Sequence, residues 1–332
     1  MTRRALITGI RGQDGSYLAE HLLAEGYDVW GLVRGEEAAP RIPVAPHLEG
    51  AVRLISGDLL DQRSLIAAIE QCEPDEVYNL AAISYVPQSW RQPEATAEVT
   101  GVGVVRILEA IRTVSGVRES QPGRGGQIRF YQASSSAMYG NARETPQNEL
   151  TPLHPHSPYG VAKAYGHYMT KSYRESYGMH AMSGIMFNHE SPRRGRQFVT
   201  RKVSVGVARI KLGQATELRI GNLDAQVDWG FAGDFARAMH LMVSQHTADD
   251  YVIGTGRLNS VRQLVELAFS YVGLQWRRHV RVDPQLVRPA DVVVLRADYG
   301  KAAMRLGWHP STPFEDVVAQ MLESDMRLLS IA

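Results

Sequence analysis

An α/β fold with a doubly wound parallel sheet and a smaller C-terminal α/β substrate part is the architecture this sequence predicts. Three observations carry it. A short apolar strand runs into glycines at 9, 12 and 15 and then into a helix. Short apolar strands go on alternating with helices through roughly the first 180 residues. A serine run at the end of one of those strands is followed by Tyr159 and Lys163, four apart. Residues 1–180 are therefore read mainly as one unit and residues 181–332 mainly as the other, with later segments returning to the first.

Ala5-Leu6-Ile7-Thr8 is the opening strand, and Gly9-Ile10-Arg11-Gly12-Gln13-Asp14-Gly15 is the turn into a helix that closes near Gly26. Glycines at this spacing allow a tight turn, let backbone N–H groups approach a pyrophosphate, and bring helix and strand close together; the helix N-terminus favours the anion. This loop is thus a dinucleotide-binding candidate. Tyr27 to Val33 forms a second strand and ends at Arg34, where an acidic residue would bind the 2′-hydroxyl of NAD. Arg34, with Arg11, suits the 2′-phosphate of NADP(H), while Glu36 and Glu37 keep NAD(H) possible.

Val52 to Ser56 is the next strand, followed by Gly57-Asp58-Leu59 and a helix over Gln62 to Cys72. Asp58 reads equally well as an adenine contact and as a turn or capping residue. A buried strand, Glu76 to Ala82, brings Leu80, Ala81 and Ala82 to the same edge, where a cofactor can lie against backbone. Val104 to Ile111 is read as a helix and Ser115 to Gly126 as a surface loop. Ile128 to Ala133 is the strand that delivers Ser134, Ser135 and Ser136.

Tyr159 and Lys163 fall one turn apart on one helix face. A free phenol titrates near pKa ~10, and an ammonium one turn away is expected to lower that value and make it a usable proton-transfer group. Ser135 and Ser136 supply hydroxyls for the same substrate oxygen. Taken alone, the pair reads better as a solvated helix face; the rest of the chain overturns that reading. Further on, Ala181 to Phe187 is strand-like, and the cationic stretch from Arg193 to Lys202 could clamp a diphosphate together with Arg219 and Arg288. Val261 to Val272 and Pro313 to Leu329 read as amphipathic helices.

Composition narrows the partners. The chain of 332 residues is 44% hydrophobic and 21% charged, with a formal net charge of +1. Such a balance offers no surface for nucleic acid or membrane. The single cysteine, Cys72, fits a reducing compartment, and no leader or membrane-spanning run is read, so a cytoplasmic protein is expected. No metal site is expected.

These motifs resemble the extended short-chain dehydrogenases/reductases, and among them the GDP-mannose 4,6-dehydratases. The resemblance runs almost end to end: Ala5 to Leu18, Tyr78 to Ser84, Tyr131 to Gly140, Ser157 to Lys163, Asn188-His189-Glu190-Ser191-Pro192-Arg193-Arg194-Gly195, Phe198 to Lys202, Gly221 to Ala225 and Leu306-Gly307-Trp308. It implies a Rossmann fold, bound NADP(H), a GDP-hexose substrate and a homodimer or homotetramer. It implies hydride removal at C4 of the sugar, with Tyr159 as base, Lys163 lowering its pKa and Ser135 holding the sugar O4. His189 and Arg194 match positions near the cofactor, and Ser84, Asn188, Val199, Lys202, Arg219 and Arg288 match positions around the substrate.

The departures cluster at the site. Ala137 stands where the resemblance expects a glutamate that takes the C5 proton and helps water leave from C6. Ile83, His156 and Gln226-Val227 replace Gln, Arg and Lys-Arg. Three readings follow: an epimerase or 4-keto reductase, a 4,6-dehydratase inactivated at Ala137 or using another group such as His156, and a non-catalytic nucleotide-sugar or NADP-binding regulator. A pure binder has no need of a phenol–ammonium pair.

Overall fold

Strands that are apolar along most of their length cannot leave a face to water, so they need helices on both sides. The computed structural model describes residues 2–35, 45–119, 127–286 and 294–331. Its elements run β1 (Arg4–Thr8), α1 (Gln13–Ala24), β2 (Asp28–Val33), β3 (Arg53–Ser56), α2 (Gln62–Cys72), β4 (Glu76–Asn79), α3 (Val86–Arg91), α4 (Pro93–Thr96), α5 (Gly103–Glu119), β5 (Arg129–Ser135), α6 (Pro158–Tyr177) and β6 (Ala181–Met186). They continue as β7 (Asn188–Glu190), α7 (Val199–Lys211), β8 (Leu218–Ile220), β9 (Gln226–Val227), β10 (Trp229–Phe231), α8 (Ala232–Val243), β11 (Tyr251–Ile253), β12 (Asn259–Ser260), α9 (Val261–Tyr271), α10 (Trp276–His279), β13 (Val280–Val282), α11 (Gly300–Leu306) and α12 (Phe314–Ile331).

Seven strands form one sheet in the order β11-β6-β5-β4-β1-β2-β3, every pair parallel. This is the doubly wound arrangement, with strand order reversing between β1 and β4. One face buries Leu18, Leu22, Phe235, Met239, Leu306 and Trp308 from α1, α8 and the end of α11. The other buries Leu65, Ile69, Ile107, Leu108, Ile111 and Tyr173 from α2, α5 and α6. A third core joins α7, α9 and α12 through Val203, Val207, Leu264, Phe269, Val318 and Leu322. There Trp229 stacks on Phe314, ring centroids 5.3 Å apart. The chain beyond residue 181 therefore feeds two places, since β6, β11 and α8 complete the main sheet.

Several boundaries differ from the sequence reading. The helix expected over Val104 to Ile111 runs to Glu119, because Val114 continues the buried stripe. Residues 115–119 of the expected loop are thus helical, and 120–126 lie outside the described residues. β4 stops at Asn79 because the next two N–H groups, of Leu80 and Ala81, donate to the Thr8 hydroxyl, both at 3.0 Å. β5 instead continues through Ser135, pairing Ser134 and Ser135 with Ile185 and Met186.

Where α1 meets α8, His21 Nε2 lies 2.9 Å from His240 Nδ1, and His240 Nε2 lies 3.1 Å from the Tyr27 hydroxyl. A hydrogen bond between two imidazole nitrogens requires that the accepting ring keep an unprotonated nitrogen, so the two rings cannot both be fully protonated. Burial pushes both histidines below 6.5, with His240 further opposing charge on His21, Arg237 and Arg3 acting in the same sense, and Glu25 against it. The unfolded chain takes up protons first as pH falls, so these depressed values remove stability on acidification below about pH 6.5. The melting temperature should fall between pH 8 and 5.5, and a His240→Gln variant, which bonds without titrating, should lose less. Equal losses would refute the assignment.

Candidate active site

The carboxyl ends of the parallel strands open into a cleft of about 1850 Å³ at the strand-order reversal. Gly9, at φ +72°, carries the chain out of β1, and a Cβ there would meet Ala81 N at 2.9 Å. A Cβ on Gly15 would lie 2.4 Å from the Gly9 carbonyl oxygen. Neither position admits a side chain without moving backbone. The N-cap of α1, Gly12, has no side-chain acceptor on the first N–H groups, the arrangement of an anion cradle. Gly9, Arg11, Gly12, Gln13, Asp14 and Gly15 all line the cleft, joined by Arg34 past β2, Asp58 and Leu59 past β3, and Leu80, Ala81 and Ala82 past β4. The residues present fit a dinucleotide. Asp58 also accepts from Leu60 N at 2.9 Å, so it makes the turn as well, while the helix cap is Asp61.

The three serines diverge. Ser134 turns to the buried His167, 3.2 Å from its Nδ1. Ser135 caps a short 3₁₀ turn, accepting from Ala137 N at 3.2 Å, and lines the cleft with Ser136 and Ala137. Ser157 caps α6 through Gly160 N at 3.1 Å, with Pro158 in its first turn. That start sets Tyr159 and Lys163 on the cleft-facing side, where both are buried.

The electrostatics correct one expectation. The Lys163 ammonium donates to the Ala133 carbonyl at 2.6 Å and stands 5.8 Å from the Tyr159 ring centroid. Burial raises the Tyr159 phenol above 10, with the Ser135 hydroxyl and the Arg194 charge opposing and Asp14 reinforcing it. Burial also drops Lys163 from 10.5 to about 8, Asp14 acting against it. Burial thus outweighs any lowering of the phenol by the lysine, whose hydrogen bond goes to the Ala133 carbonyl.

Asp14 forms the second cluster. Its carboxylate lies 3.0 Å from His189 Nε2, while His189 Nδ1 is 2.7 Å from the Phe187 carbonyl and its ring stacks on Phe235. Burial disfavours both charges, yet each favours the other: Asp14 ends below, and His189 above, its ordinary value. Gln13 adds a bond to His189 O at 3.1 Å and accepts from Ser191 Oγ at 2.7 Å. The glycine loop is thereby fastened to the segment around β7.

Most of the cationic stretch is used internally. Arg193 bonds Glu20 and Ser16 and lies over Tyr17. Arg194 pairs with Glu190 at 3.1 Å and packs on Phe198 at 3.6 Å. Arg201 is buried against Asp325 at 2.6 Å, tying α7 to α12. Ser84, Asn188, Val199 and Lys202 line the cleft, as does Arg193, which sequence reasoning had grouped only with the block. Arg219 does not line it; it is exposed and bonds Glu217 at 2.9 Å. Its strand neighbours Ile220, Gly221 and Asn222 do. Arg288, like Glu36 and Glu37, lies outside the described residues. Thr8, Asn79 and Gln132 were missed; polar residues at one level of three buried strands were the available signal.

A model of the family described as GDP-mannose 4,6 dehydratase matches residues 6–321. The chain belongs to that family. It is 46% identical to GDP-mannose 4,6 dehydratase 1 of Arabidopsis thaliana over 331 residues, covering 98% of this chain and 90% of the relative. It is 43% identical to the GDP-mannose 4,6 dehydratase of Homo sapiens, covering 98% and 92%. Among solved structures, a UDP-glucose 4-epimerase of Thermus thermophilus in complex with NAD superposes with a TM-score of 0.81 at 26% identity, covering 97% and 98% of the two chains. The protein is thus an enzyme of the extended short-chain dehydrogenase/reductase group. No described helix is long and apolar enough to cross a membrane, and among the described residues no group of side chains is arranged to hold a metal.

The Lys163 ammonium should titrate near pH 8 in the protein without added nucleotide. Nitrogen-15 NMR of labelled lysine, with Lys163→Met to assign the signal, reads this directly. A value near 10.5 would show that the ammonium is solvated.

Proposed function

We propose that the protein is an NADP-dependent GDP-hexose enzyme that moves hydride at C4 of the sugar without removing water from C6, acting as an epimerase or 4-keto reductase. The observation that carries this reading is the distribution of carboxylates. Among the described residues lining the cleft, only Asp14 and Asp58 are acidic. Asp14 is held by His189 beside the glycine loop, and Asp58 belongs to the turn after β3. The end containing Ser135, Ser136, Ala137, Tyr159 and Lys163 has none. Elimination across C5 and C6 needs a base at C5 and an acid near O6, and Ala137 offers only a methyl group.

The bound dinucleotide would supply the hydride acceptor and donor, held by the glycine loop with Arg34 and Arg11 toward a 2′-phosphate. Ser135 orients the sugar oxygen toward Tyr159. The phenol, kept protonated by burial, suits delivery of a proton to O4 as the ketone is reduced. Run in reverse, the same group takes that proton with Ser135 and Arg194 easing its charge. The group of α7, α9 and α12 is proposed to close over the nucleotide, with Lys202, Asn188 and Val199 facing it.

A 4,6-dehydratase is the second reading, favoured by the family match and by His156, an exposed imidazole lining the cleft beside Ser157. A purely binding role is opposed by the burial of Lys163, which a binder would not need.

Product analysis with GDP-mannose and catalytic NADP⁺ in deuterium oxide separates these readings. The unmodified chain should give little or no 6-deoxy-4-keto sugar, and Ala137→Glu should raise that activity by about 10²–10⁴. Rapid dehydration by the unmodified chain, lost in His156→Ala, would establish the second reading.

Tyr159→Phe should cut hydride transfer by about 10² or more while nucleotide affinity changes little, since the ring stays and only the proton-carrying group leaves. Equal turnover by the two proteins in a nicotinamide absorbance assay would remove Tyr159 from the mechanism.

A further inference from the structure

We infer that Gln132 is a positioning residue for Lys163, the inner link of a buried hydrogen-bond chain that runs from beneath the glycine loop to the carbonyl holding the lysine ammonium. The inference rests on the role given to Lys163 above. Thr8, Asn79 and Gln132 come from three adjacent strands, and all are at most 1% exposed. The Thr8 hydroxyl accepts from Leu80 N and Ala81 N at 3.0 Å each. Its single proton is left for Asn79 Oδ1 at 2.7 Å. That fixes the Asn79 amide, whose Nδ2 donates to Gln132 Oε1 at 2.8 Å. The Gln132 amide is fixed in turn, and its Nε2 donates to the Ala133 carbonyl at 3.1 Å. Every polarity follows from the first, since a hydroxyl has one proton and each amide one donor end.

The Ala133 carbonyl therefore has both lone pairs engaged, one by Gln132 and one by Lys163 Nζ at 2.6 Å. The ammonium has one site on that oxygen and cannot roll to the other. Its remaining protons are directed by that single anchor. The donor end of the Gln132 amide also competes with the ammonium for the carbonyl, which disfavours the lysine's charge. A purely structural account is weak, because apolar residues of like shape at 79 and 132 would satisfy the core about as well. The chain ends on the carbonyl that accepts from Lys163.

The test compares the full-length protein with Gln132→Met, which keeps the shape and removes the amide, and with Gln132→Glu, which places a carboxylate beside the same carbonyl. Lys163 titration is read by nitrogen-15 NMR, and kcat/KM for C4 redox is measured against pH with the GDP-sugar and NADP(H). Gln132→Met should raise the Lys163 titration by about one pH unit and move the matching limb of kcat/KM with it, and Gln132→Glu should raise it further. If Gln132→Met fails to fold, Gln132→Leu, which also removes the amide without adding a charge, is read in the same way. An unmoved Lys163 titration alongside a lowered melting temperature would overturn the inference and leave Gln132 structural. A moved titration with an unmoved rate profile would support the positioning role and refute the catalytic use of Lys163, so the two ideas fail separately.

Discussion

The contact between Gly9 and Gly15 is the constraint on which the rest of the molecule depends. A methyl group at residue 15 would reach within 2.4 Å of the Gly9 carbonyl oxygen and 2.7 Å of Ile10 Cα. Only glycine lets α1 start this close to the end of β1, and the position of α1 then sets much else. Asp14 reaches His189, Gln13 reaches Ser191, and the far end of the helix meets α8 through the paired histidines. A larger residue would not simply block a ligand. It would lift the helix whose first turn organises the cleft and whose flank carries one of the two sheet cores.

The site concentrates unfavourable electrostatics that the fold sustains. Holding Lys163 at about 8 in place of 10.5 corresponds to on the order of 3 kcal/mol against its charged form. That is a large share of the net stability of an ordinary domain, about 5–15 kcal/mol. The figure for Lys163 is the net cost, with the attraction of Asp14 already opposing the burial. Tyr159 is pushed the opposite way by the same burial, so phenol and amine both favour their neutral forms. Buried groups with perturbed titrations lining a cleft are commonly found at functional sites.

Elsewhere the charges do mechanical work. Arg201 and Asp325 form a buried pair whose disruption on one side costs about 3–5 kcal/mol by precedent, because it strands the other charge. Asp228 accepts from Thr255 N, Gly256 N and Ala297 N, tying together two separate loop segments. Asp234 does the same for Ser311 and Thr312. A cationic block that reads as a phosphate clamp thus also makes internal ties, through Arg193, Arg194 and Arg201, while Arg193, Arg194 and Lys202 line the cleft wall.

The sequence by itself determined what is local. Glycine spacing, strand-to-helix alternation, the Ser157–Pro158 helix start and the four-residue step from Tyr159 to Lys163 are short-range patterns, and each specifies backbone geometry directly. Ala137 was legible in the same way, as a residue type that cannot carry a proton. Only the tertiary structure decided which charged groups face which. Asp14 and His189 are 175 positions apart in the chain, Arg201 and Asp325 are 124 apart, and nothing in the neighbourhood of either residue announces its partner. The net direction of the Tyr159 titration is not legible from spacing for the same reason. Spacing puts two side chains on one face, but burial and the nearest acceptor set their titration, and those come from β5, a different strand packed beneath the helix.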